Sequence, residues 1–197
     1  VPTRGIYAIN GSVGDQNGLL VVRNNVVYNN GDTNLNLRIN RQRVVGNRVY
    51  GATGSNIVVG FGVDELEVRD NQVCSAGVHG LIAQDAPMGA TVSGNAFIGN
   101  TETGMYLRRG SFEVVANLVA SNGTTGFLSD GDATINDSHN LYFGNATDIG
   151  GHAPAQPDTD VLMDPRLTPG ADPCTFAVEE GSPTRGSGPD GSNIGPL

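Results

Sequence analysis

Six asparagines in one column constrain this chain more than any other feature. They are Asn25, Asn47, Asn71, Asn95, Asn117 and Asn140, spaced 22, 24, 24, 22 and 23 residues apart. Around three of them the chain nearly repeats itself: VRDNQVCSAGVHGLIA (68–83), VSGNAFIGNTETGMYL (92–107) and VVANLVASNGTTGFL (114–128). A unit of that length cannot bury an apolar face alone and must stack on its neighbours, so the chain reads as a solenoid.

Counting from each asparagine resolves the unit into three strands. Three residues before it stand Val22, Val44, Val68, Val92 and Val114, and five before it Leu20, Gln42, Leu66, Ala90 and Phe112. Between them lie Val21, Arg43, Glu67, Thr91 and Glu113, which gives the period of two expected for a strand with one buried side. Two residues after the asparagine the column is Val27, Val49, Val73, Phe97, Val119 and Tyr142, a second strand. A third carries Leu35/Leu37, Ile57/Val59, Leu81/Ala83, Met105/Leu107 and Phe127/Ser129 at offsets of ten and twelve. β-branched and aromatic residues dominate these columns, which argues against a helical repeat. Each inward valine contributes about 1.5–3 kcal/mol on burial.

Glycines mark the bends. Gly80, Gly104 and Gly126 open the third strand, and Gly77, Gly99, Gly123 and Gly144 precede it, where positive φ strains other residues. The asparagines fall at a tight bend and would stack about 4.8 Å apart, close enough for each amide to hydrogen-bond to the next. Residues 33–43 read as a longer polar turn carrying Arg38, Arg41 and Arg43, and the coil over 134–151 as degraded, since Asp137 replaces valine.

This pattern, N-x-φ-φ-x-N/G followed by G-φ-φ-φ, resembles that of right-handed parallel β-helix proteins of the pectate-lyase-like superfamily, over about residues 5 to 150. The resemblance implies an all-β fold: a right-handed parallel β-helix of about six to seven coils in residues 1–151, the first incomplete, with residues 152–197 as a C-terminal cap. In that tail Asp164-Pro165, Phe176-Ala177-Val178, Gly181-Ser182-Pro183 and Asn193-Ile194-Gly195 resemble the C-terminal end of bacterial secreted β-helix repeat proteins, where it closes the last coil. It places the chain outside the cytoplasm, and the open first coil implies an upstream domain of the same protein. There Cys74 and Cys174 allow either one disulfide from the tail to the third coil or two buried thiols.

A net charge of −9 disfavours nucleic acid as a partner, and no apolar run reaches the roughly 18–20 residues of a membrane span. The resemblance implies polysaccharide or a partner protein chain as the partner. Stacking turns a repeat offset into a ladder, and at offsets of thirteen and fourteen come Arg38, Gln84/Asp85, Arg108/Arg109 and Asp130, with Asp132 beyond. Asp85, Arg108, Arg109 and Asp130 are the candidate catalytic group, within about 10 Å of one another on three coils. The resemblance implies polysaccharide lyase or glycoside hydrolase chemistry, in which carboxylates bind calcium or act as acid and base and arginine meets a uronate. Arg38 and Tyr106 are binding candidates, and Asp130 with Asp132 a calcium candidate; no other cofactor is indicated. The alternative is a surface charge ladder of little energetic worth. No complete catalytic signature is present: VHG at 78–80 lacks the paired aspartates of the polygalacturonases, and His79, in the column of Thr33, Ser55, Thr103 and Thr125, reads as a solvated turn residue.

Eleven residues after the asparagines runs an outward apolar row, Asn36, Val58, Ile82, Tyr106 and Leu128, with Tyr7 in the matching place at the start. Such a row calls for a cover, either the tail from about Asp160 or a partner chain. The two readings of function are therefore a carbohydrate-binding or carbohydrate-cleaving module and a non-catalytic scaffold.

Overall fold

The computed structural model describes residues 4–9, 18–60, 64–154 and 156–196; the first bend, at 10–17, lies outside them. Three stacks of parallel strands form the solenoid. The first face holds Arg4–Ile9, Thr33–Arg38, Ile57–Gly60, Thr125–Ser129 and Thr147–Gly151 together with the opening halves of two long strands, His79–Ser93 and Thr103–Val115. Their closing halves join Leu19–Arg23, Arg41–Val45, Glu65–Arg69 and Ala133–Ser138 in the second face. Six three-residue strands, from Val26–Tyr28 to Leu141–Phe143, make the third.

The offsets counted in the sequence are the registers of these sheets. Val44, Val68, Val92, Val114 and Asp137 align across successive coils, as do Leu35, Ile57, Leu81, Met105, Phe127 and Ile149. Their inward side chains make one continuous core closed at its aromatic end by Phe97, Phe112, Phe127 and Tyr142. Two local expectations change. Residues 33–43 are two strands and not a polar turn, because Leu35 and Leu37 point into the core and the chain bends only at Ile39 and Asn40. The coil around Asp137 keeps full register with Gly110–Val115 despite the lost valine.

Each asparagine amide donates to the next carbonyl oxygen: Asn25 to Asn47 at 3.1 Å, Asn47 to Asn71 at 3.0 Å, Asn71 to Asn95 at 2.9 Å, Asn95 to Asn117 at 3.0 Å and Asn117 to Asn140 at 2.9 Å. That same oxygen also accepts the backbone N–H of the previous asparagine. The ladder thus satisfies polar groups that burial would otherwise strand.

A second ladder runs along the next bend, and the sequence reading missed it. Asn100 donates to Asn122, Asn122 to Asn145 and Asn145 to Asp148, each at 2.9 Å. In the earlier coils Ala52 and Ala76 stand in that column, and the amides come from the position opposite: Asn34 donates to Asn56 at 2.8 Å. This explains Gly104 and Gly126, whose φ is not positive. A Cβ at Gly104 would lie 2.8 Å from Asn122 Nδ2, and one at Gly126 2.9 Å from Asn145 Nδ2. These glycines make room for the amide and for the next coil's backbone carbonyl, Gly126 O and Asp148 O each at 2.7 Å, rather than for a left-handed backbone.

The tail does not lie over the outward row of the first face. From Val161 onward it packs on the third face, where Val161, Leu167, Cys174, Phe176 and Ile194 meet Cys74, Ala96, Ile98, Leu118, Ala120 and Leu141. The third-face strands are apolar on both sides over these coils, so that face offers more area to bury than the half-polar first face. Cys74 and Cys174 form a disulfide, the antiparallel pair Leu167–Pro169 and Phe176–Val178 flanks it, and the Gly195 N–H donates to Ala116 O at 2.8 Å. The tail motif therefore clamps the flank of the inner coils. Thr159, Asp160 and Val161 meet the last one, accepting from the backbone N–H groups of His139, Asn140 and Tyr142, with a bridge from Leu141 to Val161.

Candidate functional site

The site lies where the first face turns into the second. Gln84 and Arg108 are register partners, Ala86 and Gly110 are the next pair, and Asp85 and Arg109 stand between them. Both have left-handed backbones, with φ of 56° and 45°. Aspartate tolerates that conformation; arginine does so at a cost. The flip aims the two side chains at each other across adjacent coils, and Arg109 grips Asp85 with two bonds, Nε to Oδ1 at 2.7 Å and Nη2 to Oδ2 at 3.0 Å.

One coil further on, Asp130 is held from two sides. Arg108 Nε donates to its Oδ2 at 2.7 Å and the Tyr106 hydroxyl to its Oδ1 at 2.5 Å. Burial pushes the Asp130 carboxyl up, but the bonds from Arg108 and Tyr106 outweigh it and hold the group below the usual carboxylate range. The bond to Asp130 raises the Arg108 guanidinium and the Tyr106 phenol in turn. The guanidinium of Arg108 also lies over the Tyr106 ring, 5.3 Å from its centre, a cation–π contact that fixes the ring's tilt. The result is a neutral, rigid edge of two ion pairs beside an aromatic surface.

His79 corrects the reading of its column. Thr33, Ser55, Thr103 and Thr125 are buried, three of them as the first residues of strands and Ser55 just before one, and His79 begins the strand beside them rather than sitting in a solvated turn. Its ring meets the Tyr106 ring edge-on at 5.6 Å, its Nδ1 is buried without a partner, and burial lowers its pKa despite the nearby Glu102.

The remaining candidates stay apart. Arg38 donates to Asn36 Oδ1 at 3.2 Å and lies three coils from Arg108, roughly 14 Å at the usual strand spacing. Asp132 is exposed on the turn after Asp130, and among the described residues no group of three or more His, Cys, Asp or Glu side chains is placed to hold a metal ion. The outward row is real: Tyr7, Asn36, Val58, Ile82, Tyr106, Leu128 and Gly150 align in register. Asn36 is buried, Val58, Ile82, Tyr106 and Leu128 are half-exposed, and the tail's apolar cluster lies elsewhere.

A family model described as a right handed beta helix region matches residues 1–147. No curated protein and no solved structure matches the chain.

Proposed function

The chain belongs to the right-handed β-helix family, and from that we propose that the first face binds an extended, neutral polysaccharide along the row Val58, Ile82, Tyr106 and Leu128. The observation that carries this reading is the Tyr106 ring, held half-exposed between Asp130 and Arg108 at the centre of an uncovered apolar row. An aromatic face flanked by fixed charged hydrogen-bonding groups suits sugar rings, which present apolar C–H faces and hydroxyl edges together. Pairing of Asp85 with Arg109 and Asp130 with Arg108 leaves no net charge at the edge, so a neutral glycan fits better than a uronate.

Binding is favoured over cleavage. A glycoside hydrolase needs one carboxyl group kept protonated as general acid, whereas Asp130 is held ionised by Arg108 and Tyr106. The disulfide between Cys74 and Cys174 supports an oxidising, extracytoplasmic location. A glycan array tests the reading. The Tyr106→Ala/Arg108→Ala protein should lose binding at least tenfold while keeping its melting temperature within a few degrees, and retained binding refutes this site.

A second reading, a scaffold docked to an upstream domain or partner chain, rests on the first coil. Tyr7, Leu19, Val21, Val26 and Tyr28 are exposed there, and strands Leu19–Arg23 and Val26–Tyr28 pair on one side only among the described residues. A parallel strand from another module would satisfy both. No glycan bound by the purified chain, with a solution mass above 20.4 kDa, would favour this reading.

A further inference from the structure

The asparagine ladder ends on an aspartate. Asp160 Oδ1 accepts the Asn140 backbone N–H at 2.8 Å, as each earlier asparagine accepts from the one before it. Val161 then pairs with Leu141 as the stub of a seventh coil. Facing Asp160 is Asp137, in the column that Val44, Val68, Val92 and Val114 fill on the coils before it, and only 9% exposed. Asn140 Nδ2 donates to Asp137 Oδ1 at 2.5 Å. Three buried oxygens remain without a hydrogen-bond partner, Asp137 Oδ2, Asp160 Oδ2 and the Tyr142 hydroxyl, and of these the two carboxylate oxygens cannot bond to each other while both acids are ionised.

Two carboxylates in such a place cannot both stay ionised cheaply. One proton removes a charge and turns Asp137 Oδ2 into a donor toward the Asp160 carboxylate. We propose that the C-terminal cap is locked onto the sixth coil by a proton held between Asp137 and Asp160, and that the segment 156–164 loosens as rising pH removes it.

The surroundings all bear on that proton. Burial first, then the charge of Asp160, pushes Asp137 up to about 7, and burial raises Asp160 as well. Tyr142 lies beneath, its hydroxyl raised by burial and by the charges of Asp137, Asp160 and Asp148. His139 acts on Asp160 in the opposite direction. An unfolded aspartate releases its proton near 3.8 while the folded pair keeps one to about 7. Between those values the closed cap holds more protons than the open one, so closure weakens as pH rises and levels off above.

Hydrogen exchange of the Val161 amide, which donates to Asn140 O at 2.8 Å, tests the lock between pH 4 and 9. Normalised for the intrinsic rate, its protection should fall about 300-fold from pH 4 to 7 and flatten above about pH 8, while the mid-solenoid Leu118 amide shows no such fall. Asp137→Asn should remove the slope; Asp160→Asn serves if that variant does not fold. A flat wild-type profile, the same slope in both variants, or a parallel fall at Leu118 would overturn the proposal. So would calcium restoring protection at pH 8, since the pair would then hold a cation rather than a proton.

Discussion

Asn95→Ala removes the middle rung of the ladder and tests whether these amides hold the coils together. The Asn95 side chain donates to Asn117 Oδ1 at 3.0 Å and Val68 O at 2.9 Å, and accepts from the Asn71 backbone at 3.0 Å and the Asn71 amide at 2.9 Å. Four net contributions of about 1 kcal/mol each, with the buried Asn71 N–H left unpaired, give a loss of about 3–5 kcal/mol. For a chain of this size that is a fall in melting temperature of about 10 °C. Asn25→Ala supplies the control. At the first rung its side chain donates to Arg23 O and Asn47 Oδ1 in a half-exposed place, so its removal should cost about 1 kcal/mol or less. Urea denaturation of both variants at pH 7, with the disulfide intact, reads the difference. If Asn95→Ala is no more destabilising than Asn25→Ala, the ladder is decoration and the coils are held by their apolar columns alone.

Two further outcomes follow from the same geometry. Cys74→Ala/Cys174→Ala opens a loop of sequence separation 100, which the chain-entropy account values at about 4.7 kcal/mol; a melting temperature unchanged from the oxidised protein would show that the tail's packing needs no covalent tie. Gly104→Ala places a Cβ 2.7 Å from Gly126 O and 2.8 Å from Asn122 Nδ2, and should cost about 2–3 kcal/mol in urea denaturation. Gly18→Ala meets nothing within 4 Å and should be silent, so equal effects would remove the steric account of the glycine column.

The candidate site was half legible. Placing Asp85, Arg109, Arg108 and Asp130 on one edge needed only the repeat offset, because stacking in register converts an offset into a neighbour. Which arginine would grip which aspartate was not legible. That choice depends on the left-handed turns at Asp85 and Arg109, and a column of residue types carries no backbone sign. His79 was misread for a related reason: its column holds threonine and serine, residues common in turns, yet in this fold they lie inside, at or just before the starts of strands.

What the sequence determined by itself is the solenoid: the period, the inward columns, the first asparagine ladder and the register of the coils from 19 to 129. It could do so because each contact repeats one local rule at a fixed offset, and a rule stated five or six times is hard to misread. The second ladder escaped because it changes columns at Ala52 and Ala76. The tail is the opposite case. It has no period, so nothing local says whether it covers the first face or the third; the doubly apolar strands Ala96–Ile98 and Leu118–Ala120, together with the bond to Cys74, decide it. Tertiary structure alone brought Asp160 onto the last rung beside Asp137, where two carboxylates distant in sequence meet in a space meant for a valine and an amide.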